Sequence, residues 1–93
     1  MARSTATRKW VDFEFQGEPG AKVFIAGTFN DWDPNQVRMH ARGKDGNYRT
    51  SLLLPKGRHE YKFVVDGTWC VDAKCQEWVP NNYGSLNSVA TVS

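Results

Sequence analysis

The stretch Val64-Val65-Asp66-Gly67-Thr68-Trp69 decides the fold of this sequence, because it predicts a β-hairpin with a two-residue turn. An Asp-Gly pair between alternating hydrophobic residues is the strongest short-range hairpin signal, since a type I′ turn requires positive φ at both central positions. The Asp-Gly pair therefore forms the predicted turn. The register that follows places Val64 opposite Trp69 and the residues next to the turn opposite each other.

The two strands of this hairpin divide their side chains between two faces. Residues two apart in a strand share a face, so Lys62, Val64 and Trp69 are predicted to lie together. The other face carries three apolar side chains, those of Tyr61, Phe63 and Cys70. Because that second face is the better candidate for the core, a tryptophan and a lysine are left diagonally adjacent on the outer side of the sheet. A large aromatic side chain in such a position needs an explanation.

Composition limits the classes of protein to consider. A chain of 93 residues is predicted to form one domain whose single core can sustain the fold. Twelve Lys and Arg residues against ten Asp and Glu residues leave a formal charge of +2. This charge is too small and too evenly spread to indicate a surface that follows phosphates, so no nucleic-acid partner is expected.

Hydropathy, the N-terminal residues and the cysteines bear on where the protein is located. No apolar run approaches the roughly 20 residues that a membrane helix requires, so no membrane association is expected. Residues 1–9 are predicted to be a flexible tail that precedes a domain at residues 10–93. Two cysteines are too few for a disulfide scaffold, which favours a cytoplasmic location, or a plastid in a plant. Whether Cys70 and Cys75 form a disulfide stays open.

Short strands separated by turn residues account for most of the chain. They are predicted at residues 10–16, 21–29, 37–41, 48–54, 58–65, 68–72 and 86–92. No window predicts an amphipathic helix, and about seven short strands indicate an all-β antiparallel sandwich of the immunoglobulin-like kind, or else a small barrel. The strand at 21–29 is predicted to be central, because both of its faces are apolar. The predicted core includes five aromatic residues: Trp10, Phe13, Phe24, Tyr61 and Phe63.

Signals of catalysis or of a bound metal are absent from the sequence. His40 and His59 do not have the spacing of a zinc site and are predicted to be surface or loop residues. No serine lies in a Gly-x-Ser-x-Gly motif and no glycine-rich run opens a helix to bind phosphate. Asp31 and Asp33 flank a tryptophan in a loop, where they are more simply turn-stabilising residues. We therefore expect a protein that is not an enzyme, with no catalytic residue, cofactor or metal.

Two tryptophans lack a structural explanation in this pattern. Trp32 lies in a polar loop and Trp69 on an outward face. The potential polar partners of these rings are the ammonium group of Lys62 and the amides of Asn81, Asn82 and Asn87. Flat aromatic faces beside amide and ammonium donors suit a ligand that has apolar C–H faces and hydroxyl groups, as a sugar chain does.

The same residues carry a family resemblance. The run Gly27-Thr28-Phe29-Asn30-Asp31-Trp32-Asp33-Pro34 resembles the Gly-x-Phe-Asn-x-Trp signature of the glycogen-binding domain in the AMP-activated kinase beta subunit. The match continues through residues 54–63, residues 65–69 and Asp72, and it ends with residues 84–89. Related early-set domains precede the catalytic barrel of isoamylases and glycogen branching enzymes. Several motifs in the same order make this resemblance specific.

The resemblance implies an immunoglobulin-like early-set sandwich of carbohydrate-binding module family forty-eight, which binds α-1,4-glucans such as glycogen, starch and maltooligosaccharides. In that family the tryptophans that match Trp32 and Trp69 stack on glucose rings, and the residues that match Lys62 and Asn87 hydrogen-bond sugar hydroxyls. Two further residues, Tyr83 and Ser85, match positions on the rim of the same site. The sequence departs from the family pattern at Tyr83, where the kinase domain has an aliphatic residue, and at residues 70–78.

Three functions remain in competition at this point. The first is a non-catalytic module whose partner is an α-glucan. The second is an interaction or regulatory module of a glycogen or starch enzyme or a kinase, with a vestigial sugar surface. The third is a platform for single-stranded nucleic acid, on which bases stack instead of sugars. The two unexplained tryptophans favour the first, and the scattered basic residues disfavour the third.

Overall fold

The fold consists of two antiparallel β-sheets packed face to face, as given by a computed structural model that describes residues 8–93. The strands are β1 (Arg8–Gln16), β2 (Val23–Gly27), β3 (Val37–Arg38), β4 (His40–Ala41), β5 (Asn47–Pro55), β6 (Gly57–Val65), β7 (Thr68–Cys70), β8 (Trp78–Pro80) and β9 (Leu86–Val92). A three-stranded sheet has the order β1-β5-β4, and the larger sheet has the order β3-β2-β6-β9-β8, with β7 paired to β6. The predicted all-β sandwich is confirmed.

The predicted strands are recovered with differences at their ends. β1 begins at Arg8, because its first residues pair with Leu54 and Pro55 of β5, so the strand includes two residues assigned to the tail. The rest of the predicted tail, residues 1–7, lies outside the described part of the chain. β2 pairs with both β3 and β6, which confirms its central position. It ends at Gly27, where the chain enters a single turn of 3₁₀ helix at Thr28–Asn30.

Two segments differ from the sequence-based expectation. The predicted single edge strand at residues 37–41 is divided, since β3 belongs to the larger sheet and β4 to the smaller one. Met39 lies between them, 2% exposed, and its amide donates to the carbonyl of Val23 at 2.8 Å. Residues 78–80, which lie outside the strands predicted from the sequence, form the short strand β8 alongside β9. In both cases, packing against a neighbouring strand decides the outcome.

The core lies between the inner faces of the two sheets. Its buried members are Phe13, Val23, Ile25, Met39, Tyr48, Leu54, Tyr61, Phe63 and Val92. Tyr61 also donates a hydrogen bond to Asp72 Oδ2 at 2.7 Å. Burial, followed by this hydrogen bond, raises the pKa of the Tyr61 hydroxyl well above its usual range, so the phenol stays neutral and holds the segment after β7.

Three core and surface assignments from the sequence are wrong. Trp10 is 69% exposed, because its neighbour Val11 points inward and Trp10 pairs with Leu53 on the outer face of the smaller sheet. Phe24 likewise points away from the core, and its ring lies 6.0 Å from the guanidinium carbon of Arg38. His59 is buried, with 9% exposure, because it shares the inner face of β6, and its Nε2 lies 2.8 Å from the carbonyl of Pro55.

Cys70 and Cys75 are both free thiols, each half-buried. Within residues 8–93, no cluster of His, Cys, Asp or Glu side chains could hold a metal ion. The same part of the chain contains no helix long and apolar enough to span a membrane.

Candidate functional site

An open cavity of about 830 Å³ lies on the outer face of the larger sheet and contains every site residue predicted from the sequence. It is lined by Thr28, Trp32, Glu60, Lys62, Trp69, Pro80, Asn81, Asn82, Tyr83, Ser85 and Asn87. These residues come from the four strands β6 to β9, from the turn and loop after β2 and from the loop between β8 and β9. Residues more than 50 positions apart in the chain therefore meet at one surface.

The hairpin places Trp69 in this cavity as its sequence predicts. Asp66 and Gly67 have φ values of 48° and 86°, the positive values that a type I′ turn requires. Val64 pairs with Trp69 and Phe63 with Cys70, so the predicted register is confirmed as far as the end of β7. The Trp69 side chain is 42% exposed on the outer face.

The loop after β2 holds Trp32 in an unusual backbone conformation. Asp31 and Trp32 have φ values of 54° and 58°, in the left-handed region that bulky residues rarely occupy. Hydrogen bonds fix the loop: the Trp32 amide donates to the carbonyl of Gly27 at 2.9 Å, and the Asn30 side chain accepts from the Gly27 amide at 2.9 Å. Asp33 accepts from the Asn35 amide at 2.9 Å, in keeping with its predicted role in the turn. Strained backbone held in this way is typical of binding sites.

The two tryptophans form an angled pair. Their ring centroids are 6.5 Å apart and their planes meet at 44°. Trp32 is half-buried, so it is less exposed than its position in a polar loop had indicated. We name this pair, Trp32 and Trp69, the aromatic platform. Because its rings are not coplanar, the aromatic platform favours a bent ligand over a flat one.

Polar groups adjoin the aromatic platform and hold one another. Lys62 Nζ donates to Ser85 Oγ at 2.8 Å. Asn87 Nδ2 donates to Glu60 Oε1 at 2.9 Å, and Asn87 Oδ1 accepts from Asn81 Nδ2 at 3.0 Å. Asn87 is only 6% exposed, so its side chain is nearly covered by its neighbours.

The rim of the cavity is the loop between β8 and β9. Asn81 organises it, because its Oδ1 accepts from the amides of Tyr83 and Ser85, at 2.9 Å and 3.1 Å. The Tyr83 side chain is 92% exposed at the edge of the cavity. The loop therefore presents an aromatic ring on a backbone that is held in place.

Three residues that line the cavity were not predicted from the sequence: Thr28, Glu60 and Pro80. A signal for Glu60 exists in the sequence: it lies two residues before Lys62 in the same strand, and such residues share a face. Thr28 follows a strand end and carries no comparable signal. Chemically, the cavity combines apolar ring faces with ammonium, carboxylate, amide and hydroxyl groups, which suits a ligand with C–H faces and many hydroxyls.

Comparison with known proteins gives a consistent match. Residues 10–93 match a family model described as the glycogen recognition site of AMP-activated protein kinase. The chain is 33% identical over 73 residues to the 5'-AMP-activated protein kinase subunit beta-1 of Sus scrofa, which covers 78% of this chain and 56% of that sequence. It is 35% identical over 77 residues to the subunit beta-2 of Mus musculus, which covers 81% of this chain and 26% of the relative. The chain thus spans from about a quarter to about half of the length of these relatives.

Proposed function

This chain belongs to the family of glycogen recognition domains of AMP-activated protein kinase, and we propose that its cavity binds α-1,4-glucans such as glycogen, starch and maltooligosaccharides. The domain is a carbohydrate-binding module that is not itself catalytic. The observation that carries the proposal is the aromatic platform, two tryptophan rings 6.5 Å apart at 44°, beside the ammonium group of Lys62 in one open cavity. Glucose rings stack on its faces while their hydroxyls reach the polar groups.

Each predicted site residue has a role in this proposal. Trp32 and Trp69 stack on glucose rings, and Lys62 hydrogen-bonds hydroxyls. Asn87 is nearly covered and orients the polar groups beside them. Tyr83 extends the contact surface at the rim, and Ser85 holds Lys62 Nζ in place through its hydroxyl.

The proposed partner of the domain, besides the glucan, is a glycogen or starch enzyme or a kinase. The similarity to subunits of a protein kinase supports this proposal. The module would then deliver its partner to glucan particles, in the cytoplasm or in a plastid.

The ligand class is tested by the salt dependence of binding. A neutral glucan releases no counterions, so we expect affinity for maltoheptaose or β-cyclodextrin to be nearly equal at 50 and 200 mM salt. A protein making about six phosphate contacts would instead lose roughly 10³ in affinity over that range. Because the platform is open and angled, we expect micromolar to sub-millimolar affinity, of order −5 to −8 kcal/mol, and weaker binding of the flat β-linked cellohexaose.

Tryptophan fluorescence titrations of these sugars and of a single-stranded oligonucleotide, each at both salt concentrations, make the measurement. Binding of the oligonucleotide that is tight and sensitive to salt, with no response to any glucan, would contradict the proposed function. A pull-down on insoluble starch or glycogen distinguishes the proposed glucan-binding module, which should be retained, from a module with a vestigial sugar surface, which should not.

Replacement of Lys62 by alanine should weaken glucan binding more than Lys56→Ala or Lys44→Ala. Lys62 lines the cavity, whereas Lys56 and Lys44 are exposed residues outside it. We expect about a tenfold loss for Lys62→Ala, equivalent to a hydrogen bond from a charged donor, and less than a twofold change for the other two. Isothermal titration with maltoheptaose measures the three variants. Equal losses would indicate a diffuse charge effect and no defined site.

A further inference from the structure

Glu60 places a carboxylate in the cavity beside the aromatic platform. It is half-buried on β6, two residues before Lys62 and on the same face of the strand. The family resemblance implies a role in binding for Lys62 but none for Glu60. Its position calls for a physical account, because a carboxylate is costly to cover unless its oxygens find donors.

One oxygen of this carboxylate is held and the other is not. Glu60 Oε1 accepts from Asn87 Nδ2 at 2.9 Å, and the Asn87 amide is itself fixed by Asn81. Oε2 makes no hydrogen bond to any of residues 8–93. Nor does Glu60 form an ion pair with Lys62 within the described chain, since Lys62 Nζ donates to Ser85 Oγ at 2.8 Å. The carboxylate is therefore oriented and keeps acceptor capacity for a ligand.

Asn87 is less available to a ligand than Glu60. With 6% exposure, and with both its amide oxygen and its amide nitrogen engaged, Asn87 offers little surface for direct contact. Its hydrogen bond to Glu60 joins β6 and β9, whose Glu60 and Val89 pair across the strands. This geometry fits a role for Asn87 in positioning the Glu60 carboxylate.

The chemistry of an α-1,4-glucan matches a free carboxylate. Each internal glucose keeps adjacent hydroxyls at C2 and C3, and both can donate. An ionised carboxylate only accepts, has about four lone-pair sites, and makes stronger hydrogen bonds than a neutral acceptor. Lys62 Nζ, which only donates, can hydrogen-bond to the oxygen atoms of the same hydroxyls.

We propose that Glu60 is a sugar-binding residue whose carboxylate accepts hydrogen bonds from adjacent glucan hydroxyls, and that Asn87 acts mainly as its positioning residue. This inference rests on the proposed function and assigns the polar selectivity of the same site. The carboxylate selects for vicinal hydroxyls that are free to donate.

The variant Glu60→Gln tests this inference. The glutamine amide oxygen can still accept from Asn87 Nδ2, so the fold and the Asn87 orientation are retained while the charge is lost. We expect about a tenfold weaker affinity for maltoheptaose by isothermal titration, the difference between a charged and a neutral hydrogen bond, with an unchanged melting temperature. Glu77→Gln is the matched control. It removes the same charge from a residue that pairs with Arg58 at 2.7 Å and does not line the cavity, so we expect wild-type affinity.

A second measurement uses the wild-type protein and so does not depend on how the variant folds. During titration with maltoheptaose, the carboxyl carbon of Glu60 should shift in a ¹³C NMR spectrum, whereas that of Glu77 should not. Wild-type affinity in Glu60→Gln, or an unmoved Glu60 carboxyl signal, would overturn this inference alone and leave Glu60 as a support for Asn87. Wild-type protein that binds no glucan would overturn the proposed function as well.

Discussion

Trp69→Ala and Trp32→Ala should each weaken binding of maltoheptaose by about thirtyfold or more while the domain stays folded. Aromatic residues at the centre of a binding site typically cost 2 kcal/mol or more when truncated. Trp69 is 42% exposed on the outer face, so its removal opens no cavity in the core between the sheets. Trp32 is half-buried against Trp69, so we expect its replacement to lower the melting temperature somewhat more.

The control for both variants is Trp10→Ala. Trp10 is 69% exposed on the outer face of the other sheet, so its loss changes the tryptophan content without touching the cavity. Isothermal titration and thermal melting of the three variants should show binding and stability separating for Trp32 and Trp69, with wild-type binding for Trp10. A platform variant that unfolds at the temperature where it stops binding would identify that tryptophan as part of the core.

Gly27→Ala should lower the free energy of unfolding by about 3 kcal/mol, a larger loss than Gly43→Ala causes. A Cβ at this position would lie 2.4 Å from the backbone carbonyl oxygen of Glu60 and 2.7 Å from the Phe29 ring. The φ angle of Gly27 is −170°, an extended value that any residue adopts, so the cost comes from the close approach of β6 and of the Phe29 ring. The pairing of Gly27 with Tyr61 must shift to relieve it.

Gly43→Ala provides the comparison for Gly27→Ala. Gly43 has a φ of +83° and no atom within 4 Å of an added Cβ, so alanine there costs only the backbone strain, about 1 kcal/mol. Urea unfolding of both variants measures the difference. We also expect Gly27→Ala to weaken glucan binding, because the Gly27 carbonyl accepts from the Trp32 amide at 2.9 Å. Equal free energies of unfolding for the two variants would contradict this expectation, because they would show that β2 and β6 accommodate the added Cβ without strain.

Much of this protein was predictable from local sequence. The Asp-Gly turn and the alternation beside it set the register of the hairpin, which places Lys62 and Trp69 on one face. Such features depend on backbone sterics and on the two-residue period of a strand, and both act over a few residues. The motif around Trp32 and the order of the other motifs likewise indicated the family that the comparisons then showed.

Only the tertiary structure decided which groups are covered and which hold one another. Trp10 is exposed and His59 buried, contrary to expectation, because exposure depends on which strand faces lie between the sheets. The hydrogen bond from Asn87 to Glu60 joins residues 27 positions apart, and it exists because β9 pairs with β6. Periodicity assigns a residue to a face, whereas the depth of that residue and its partner depend on distant segments that meet only after folding. For that reason the sequence predicted the aromatic platform, whereas the hydrogen bond that holds Glu60 beside it came from the fold alone.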